Sequence, residues 1–267
     1  MQLARYNYYW RLFWKFRALR LMLLFEYRSD FFFWTVISII WTAFNFFFFS
    51  LLLRVSENIA GWTRPELYVL LATFTILDSF TWSFFNKIMR SYTQAIFNGS
   101  FDRFLLQPAD PQVILSIHDN TFTHVPRFLI GIAVLWWAVG QTGNHPSILH
   151  ILSYIILLCC SFLIIYNIWF AVATLAFYVE RLDNINEIVP GLRRVYQVPR
   201  QLYQGVSALV FTLVLPFGLV SSIPAELLIN RWQLSWILYF LVFTVLSTIF
   251  TRVFFLKTLS RYSGVGS

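Results

Sequence analysis

Asp78 is the only acidic residue within an otherwise apolar and hydroxyl-bearing stretch, residues 67–86. An ionised carboxylate at the centre of a bilayer costs about 3 kcal/mol or more unless it is neutralised, hydrated or paired. We therefore expect this side chain to face a helix-bundle interior or a water-filled path. Two roles fit the chemistry: a structural hydrogen bond to a neighbouring helix, or a part in a transport path or its coupling.

Three further polar side chains, Asn45, Ser83 and Asn167, also lie inside apolar stretches. Polar groups in membrane helices face the bundle interior, because lipid offers them no hydrogen-bond partner. Together with Asp78 they are the predicted lining of a substrate path.

The sequence lacks the motifs of common hydrolytic, metal and nucleotide sites. It contains no HExxH, no GxSxG, no Cys/His cluster and no GxxxxGK(S/T) loop. Cys159 and Cys160 are adjacent in an apolar run, where a thiol behaves as a small hydrophobe. We predict a chain that is not an enzyme and that binds no metal or other cofactor. If ATP drives it, a separate polypeptide must bind the nucleotide.

A compact charged segment, residues 97–111 (FNGSFDRFLLQPADP), stands between two very apolar regions. A docking element should be short and rigid and should expose apolar side chains between charges. The predicted apolar contacts are Phe101, Phe104, Leu105 and Leu106, the charges are Asp102 and Arg103, and the ends are Gly99 and Pro108. The alternative is a peripheral loop that dips its Phe and Leu side chains into lipid.

The composition of the chain indicates the kind of fold that holds these polar residues in place. Of the 267 residues, 58% are hydrophobic and 12% charged, with a mean hydropathy of +0.65, whereas soluble domains carry about 25% charged residues. We predict an all-α polytopic membrane protein with one membrane domain, residues 31–256. On so apolar a chain, a net charge of +8 is typical of a membrane protein whose basic residues lie in its cytoplasmic loops. It does not indicate nucleic-acid binding.

Apolar runs of about 20 residues predict six transmembrane helices. The expected spans are residues 31–53, 67–86, 125–140, 148–179, 204–220 and 234–256. Residues 1–30 interleave basic and aromatic side chains and predict an amphipathic helix at the membrane interface. The fifth span is expected to be kinked or re-entrant around Pro216 and Gly218, with a mildly amphipathic piece starting near Pro224.

Basic residues are distributed unequally between the two sides that six spans define. One side carries 15 Lys and Arg residues and the other carries three. This asymmetry predicts that both termini are cytoplasmic. The predicted cytosolic segments are residues 1–30, 87–124, 180–203 and the tail 257–267.

The cytosolic segment AIFNGSFDRFLLQPADP after the second span and the proline-broken LPFGLVSSIPAELL resemble ABC-transporter permeases of the type 2 (ABC-2) exporter class. The similarity is to a subfamily with a G-x-hydrophobic-D-x-x-L-L-x-P signature. Gly99, Phe101, Asp102, Leu105, Leu106 and Pro108 occupy these positions. The topological resemblance covers nearly the whole chain, whereas the sequence motifs are short.

The resemblance implies how such a chain works. The loop after the second span is a coupling helix that docks in a cytosolic ATPase, and short re-entrant helices, here about residues 216–233, precede the last span on the outer side. Two ATPase chains, which bind ATP and Mg²⁺, pair with two permease chains, either identical or homologous. The expected location is the multi-pass plasma (inner) membrane of a prokaryote, in contact with membrane lipid.

The predicted function is therefore that of a permease subunit that exports an amphipathic or lipid-like substrate. The alternative is a standalone channel or ion-coupled secondary transporter that uses Asp78 and needs no ATPase. A third possibility is an assembly or scaffold protein without transport.

Overall fold

A computed structural model describes residues 2–55, 58–179, 184–260 and 262 of the chain. The described residues are almost entirely helical and contain no strand, as predicted for an all-α polytopic membrane protein. Twelve α-helices follow one another in these ranges: α1 Gln2–Glu26, α2 Arg28–Val55, α3 Arg64–Phe80, α4 Asn86–Phe97, α5 Asp102–Leu105, α6 Pro111–Ile117, α7 Val125–Gln141, α8 Ile148–Thr174, α9 Ile188–Gly191, α10 Gly205–Ala208, α11 Phe217–Leu228 and α12 Leu234–Leu259.

Helix α3 is the centre of the bundle. A π-helical turn, Thr81–Phe85, joins it to α4, so that Arg64–Phe97 forms one helix of 34 residues. In the most apolar part of this helix 78% of the residues are buried, against 17% in Arg28–Arg54 and 17% in α12. The outer helices therefore present apolar faces suited to lipid, while the central helix packs against protein.

Helices α3 and α7 pack antiparallel at very close range. Gly131 makes this possible, because a Cβ atom at that position would lie 2.9 Å from Cγ1 of Ile76. The rings of Tyr68 and Trp137 meet near the other end of the same pair, with centroids 5.6 Å apart. The small residue at the crossing point is typical of membrane helix pairs.

Gly99 ends the long central helix. Its φ of 66° lies in the left-handed region, and the amide of Ser100 donates to the carbonyl of Ala95 at 2.9 Å. The amide of Gly99 donates to the carbonyl of Ile96 at 3.1 Å. This is the Schellman arrangement, in which glycine avoids the Cβ clash of the left-handed conformation. Gly99, predicted as one end of the docking segment, is the residue at which the long central helix ends.

Residues 180–203, predicted as a second cytosolic loop, pack along the central helix in the part that the structure describes, 184–203. Contacts occur successively from one end of that helix to the other. Asn186 donates to Thr93 Oγ1 at 2.7 Å, the ring of Tyr196 lies 5.4 Å from that of Phe74, and Trp62 Nε1 donates to Gln201 at 3.1 Å. From residue 93 back to residue 64 the helix is about 44 Å long, more than a hydrocarbon core of about 30 Å.

The chemistry of this segment explains why a loop was expected there. Pro190, Gly191 and Pro199 prevent a continuous α-helix, so the chain forms short 3₁₀ turns at Ile185–Glu187, Leu192–Gln197 and Arg200–Leu202. Two of its arginines face buried carboxylates, since Arg200 Nε lies 2.8 Å from Glu226 Oε1 and Arg193 Nη1 lies 4.0 Å from Asp78 Oδ2. If Arg193, Arg194 and Arg200 are not counted as cytosolic, 12 of the 15 basic residues predicted on that side are left. The predicted orientation keeps its asymmetry.

The break expected at Pro216 is present. Gly205–Val214 and Phe217–Leu228 form a pair of helices bent by 77° at this residue. Gly218 follows the bend at a tight contact, where a Cβ atom would lie 3.0 Å from the carbonyl oxygen of Phe211. Pro224, in contrast, lies inside α11, and all twelve residues of that helix are buried. The expectation of a mildly amphipathic piece beginning near Pro224 was therefore wrong.

Among the residues that the structure describes, four helices are long and apolar enough to cross a membrane: Arg28–Arg54, Arg64–Phe97, Ile148–Phe177 and Leu234–Leu259. The bent pair provides a fifth candidate, and α7 is a shorter apolar helix. The number of six membrane spans and the cytoplasmic location of both termini stay predictions.

Candidate functional site

The predicted docking segment folds back onto the protein at its first two aromatic residues. Phe101 is fully buried and Phe104 is 3% exposed. Phe101 inserts among aromatic rings from three other elements, with centroid distances of 5.9 Å to Tyr92, 5.0 Å to Phe177 and 5.5 Å to Tyr262. These side chains were expected to be exposed for a partner, and they instead anchor the loop to α4, to the turn that follows α8 and to Tyr262 just beyond α12.

The exposed part of the segment is smaller than the sequence suggested. Leu106 is 85% exposed and Phe97 is 38% exposed, and Leu105 is half-buried. Arg103 is exposed and its guanidinium lies 4.8 Å from the ring centroid of Phe104. Asp102 lies in the first turn of α5. We call the five exposed residues of this segment the coupling surface: Phe97, Asn98, Arg103, Leu106 and Pro108.

Asp110 fixes the far end of the segment. Its carboxylate caps α6 by accepting from the amides of Gln112, at 3.0 Å, and Val113, at 3.3 Å. Both of its oxygens also accept from Arg252 on α12, with 3.0 Å between Nη1 and Oδ1. Its own amide donates to the hydroxyl of Tyr9 on α1 at 3.0 Å. This residue therefore joins the loop to α1, α6 and α12.

The pKa of the Asp110 carboxyl reflects these contacts. Burial alone would raise the pKa, but the charged hydrogen bonds from Arg252 and the two capping amides outweigh it and hold the pKa below its ordinary value. A carboxyl group with a lowered pKa in the folded state stabilises that state at pH values above its unfolded pKa of about 3.9. The contribution disappears as pH falls through the folded-state pKa.

We expect Asp110→Asn to lower the melting temperature of the purified protein at pH 7 and by the same amount at pH 5. The loss should shrink as pH falls below about 4, because the unfolded wild-type chain takes up the proton first and its advantage over the variant disappears toward the lower folded-state pKa. Thermal unfolding between pH 3 and pH 7 measures this. Asp30→Asn is the control, since Asp30 is exposed. An equal loss at pH 3 and pH 7 would contradict the assignment.

A second anchor holds the loop between α6 and α7. Asp119 is 6% exposed, and its carboxylate lies 2.7 Å from Arg20 Nη2 and 3.7 Å from Lys87 Nζ. Arg17 donates to the carbonyl of Ile117 at 2.6 Å. Nearby, burial lowers the pKa of His118 and favours the neutral ring. The N-terminal helix is thus bonded to the loop, in addition to its predicted place at the interface.

Asp78 is completely buried and paired. Its Oδ2 lies 2.7 Å from Nη1 of Arg127, the third residue of α7, and 4.0 Å from Nη1 of Arg193. The side chain of Arg127 is 4% exposed and that of Arg193 is 23% exposed. A guanidinium is a permanent counter-ion at any physiological pH. The geometry therefore favours the structural role for Asp78 over proton coupling.

The other predicted path residues are not gathered around one space with Asp78. Asn45 accepts from Gln197 at 2.9 Å, and the Asn167 amide donates to Thr248 at 2.8 Å. Ser83 is buried in the π-helical turn, where its carbonyl accepts from the amide of Thr121 at 2.8 Å. The three residues lie on different parts of the bundle, and each has its own hydrogen-bond partner. These contacts join elements of the bundle to one another. A common substrate path lined by Asn45, Ser83, Asn167 and Asp78 remains a prediction.

Several charged residues of the site were not singled out from the sequence. Arg127, Asp110 and Arg252 each complete an ion pair that is at least partly buried. The signal available for Arg127 was the requirement that Asp78 have a partner, together with a basic residue at the start of the next span. No group of three potential metal ligands occurs among the residues with described positions.

Comparison with known proteins gives one match. A family model described as "ABC-2 family transporter protein" matches residues 39–266. No curated protein and no solved structure matches the chain.

Proposed function

Because the chain belongs to the ABC-2 transporter family, whose model covers residues 39–266, we propose that it is the permease of an ATP-driven exporter. Membership of this family makes it a membrane transport subunit and not itself a catalytic one. The finer proposal has three parts. A separate cytosolic ABC ATPase dimer binds ATP and Mg²⁺, the coupling surface docks on it, and the transported molecule is amphipathic or lipid-like.

The observation that carries the proposal is the construction of residues 97–111. The segment is fixed at Phe101 and at Asp110 but leaves Leu106 85% exposed between these anchors. A surface loop that only rests on lipid needs no such double anchoring. A loop that receives force needs it, because a rigid attachment transmits displacement whereas a flexible one absorbs it.

The attachments also indicate where displacement would go. The loop continues directly from the 34-residue central helix, Phe101 contacts the chain just beyond α8 and α12, and Asp110 bonds to Arg252 on α12. Closure of the ATPase dimer on ATP would therefore move the central helix and α12 together. The π-helical turn at Thr81–Phe85 interrupts regular hydrogen bonding in the central helix and is a natural position for bending.

A second permease chain, either a copy of this one or a homologue, completes the proposed assembly, which sits in the inner membrane of a prokaryote. The exposed apolar faces of α2 and α12 can contact that chain or lipid.

The proposal is tested by transport in inside-out vesicles that contain this chain with or without its ATPase. We expect accumulation of an exported amphiphile only with the ATPase and hydrolysable ATP. Flux without any ATPase, abolished by Asp78→Asn, would instead support the ion-coupled alternative. ATP-dependent accumulation that is unchanged when the permease is omitted would also contradict the proposal.

A further inference from the structure

A cavity of about 480 Å³ lies beside the π-helical turn of the central helix. On one side it is bounded by Trp82, and on the other by the segment that packs along the central helix. Its described lining is Trp82, Glu187, Pro190, Gly191, Arg193 and Arg194. The volume falls within the range of sites that hold small organic ligands, about 300–1,000 Å³.

Positive charge around this cavity exceeds negative charge. Arg193 shares its only described carboxylate, Asp78, with Arg127, which is much closer. Glu187 is bonded to Arg90. Two carboxylates thus face four guanidinium groups, counting the exposed Arg194. The cavity opens to the surface at Glu187, Gly191 and Arg194, and its net positive surroundings attract an anion.

Arg193 connects the buried ion pair with the cavity. Its guanidinium lies 4.0 Å from Asp78 and 5.9 Å from the ring centroid of Trp41, and its side chain is 23% exposed. At 4.0 Å the contact with Asp78 is an ion pair without a close hydrogen bond. Most of the five N–H donors of a guanidinium thus stay available for another oxygen acceptor. The indole ring of Trp82 lines the cavity, and the ring of Trp41 lies on the far side of the Arg193 contact; together they supply apolar surface for a hydrocarbon chain.

We infer that this cavity binds the anionic group of an amphipathic molecule. Phosphate is the anionic group that two arginines match best. The inference rests on the proposed transport function and names the class of its substrate: an anionic amphiphile, with the phosphate at Arg193 and Arg194 and the chain against the tryptophans. Such a molecule can come from the membrane as a lipid or from the cytosol as a solute. In either case the same cavity recognises the same group.

The test uses the purified chain alone in a neutral maltoside detergent, with no ATPase present. Hexyl phosphate, inorganic phosphate and hexyltrimethylammonium are titrated by calorimetry. We expect hexyl phosphate to bind more tightly than inorganic phosphate, and the cation not to bind. Equal binding of the cation and of hexyl phosphate would overturn the anionic specificity. Equal binding of hexyl phosphate and inorganic phosphate would show that the hydrocarbon chain does not contribute, and would overturn the assignment of an amphipathic ligand.

Arg194→Gln locates the site. Arg194 is exposed and has no described role in packing, and the loss of one charged hydrogen bond corresponds to about a tenfold weaker affinity. Arg54→Gln, another exposed arginine outside the cavity, should bind like the wild type. Unchanged binding in Arg194→Gln with an unchanged melting temperature would place the site elsewhere. In contrast, Arg193→Lys should keep part of the affinity, since it keeps the charge.

The source of the ligand is distinguished by repeating the titration in nanodiscs of phosphatidylcholine with and without phosphatidic acid. Competition by phosphatidic acid indicates a membrane lipid, and its absence indicates a solute. Because no ATPase is present, failure of these titrations leaves ATPase docking at the coupling surface untouched. Failure of docking likewise leaves anion binding in the cavity measurable.

Discussion

Replacing Arg127 with methionine is expected to lower the free energy of unfolding by about 3–5 kcal/mol, as does removal of one partner from other buried ion pairs. Asp78 is completely buried and has Arg127 as its close counter-ion at 2.7 Å, whereas Arg193 lies at 4.0 Å. Methionine has a similar length and no charge, so the variant leaves the carboxylate inside a medium of low dielectric constant. Reversible unfolding in mixed micelles with increasing dodecyl sulfate measures the change.

The matched control is Arg231→Met. Arg231 also pairs with a carboxylate, that of Glu66 at 2.9 Å, but its side chain is 42% exposed. Exposed pairs contribute about 0–1 kcal/mol. The double variant Asp78→Leu with Arg127→Met should regain most of the lost stability, because both charges are absent. A loss in Arg127→Met no larger than that in Arg231→Met would show that Asp78 is not held by this pair.

Leu106→Asp is expected to weaken association with the ATPase by about 30-fold or more, the effect of removing a binding hot spot of about 2 kcal/mol. Leu106 is the most exposed apolar side chain of residues 97–111, so its replacement should leave the melting temperature unchanged. The conservative Leu106→Met should keep both association and stability. Affinity is measured by titrating the purified ATPase onto the permease in nanodiscs.

Phe101→Ser should behave in the opposite way. Its ring is fully buried among Tyr92, Phe177 and Tyr262, and removal of a buried phenylalanine costs about 3–5 kcal/mol. Loss of the ATPase in that variant would follow from unfolding of the loop. A normal affinity in Leu106→Asp, with the loop intact, would show that docking takes place elsewhere on the chain.

Features of this fold that depend on neighbouring residues can be predicted from the sequence, whereas features that depend on contacts between distant elements cannot. Apolar length predicts the most apolar spans, and glycine and proline chemistry predicts a chain break at Gly99 and a bend at Pro216, because these depend on neighbours in the chain. The burial of Phe101 and the exposure of Leu106 could not be predicted. Both residues are apolar and five positions apart, and only the rings supplied by three distant elements distinguish them.

The same limit applies to the ion pairs. Asp78 indicated a buried carboxylate but not its partner, since Arg127 and Arg193 are separated from it by 49 and 115 positions. The prolines and charges of residues 180–203 predict a loop, and the described part, 184–203, instead packs along the central helix. In the folded protein Arg193 faces Asp78 on α3 and Arg200 pairs with Glu226 on α11, which reduces the penalty of burying these two charges.

Docking of a cytosolic ATPase on the coupling surface is the central claim, and site-specific photo-crosslinking tests it most directly. A photoreactive residue in place of Leu106, illuminated in native membranes, should crosslink to a cytosolic protein that contains a GxxxxGK(S/T) loop. The same residue in place of Trp136, which is 76% exposed on the apolar helix α7, should give no such product. Crosslinks from position 106 to lipid alone would contradict the account.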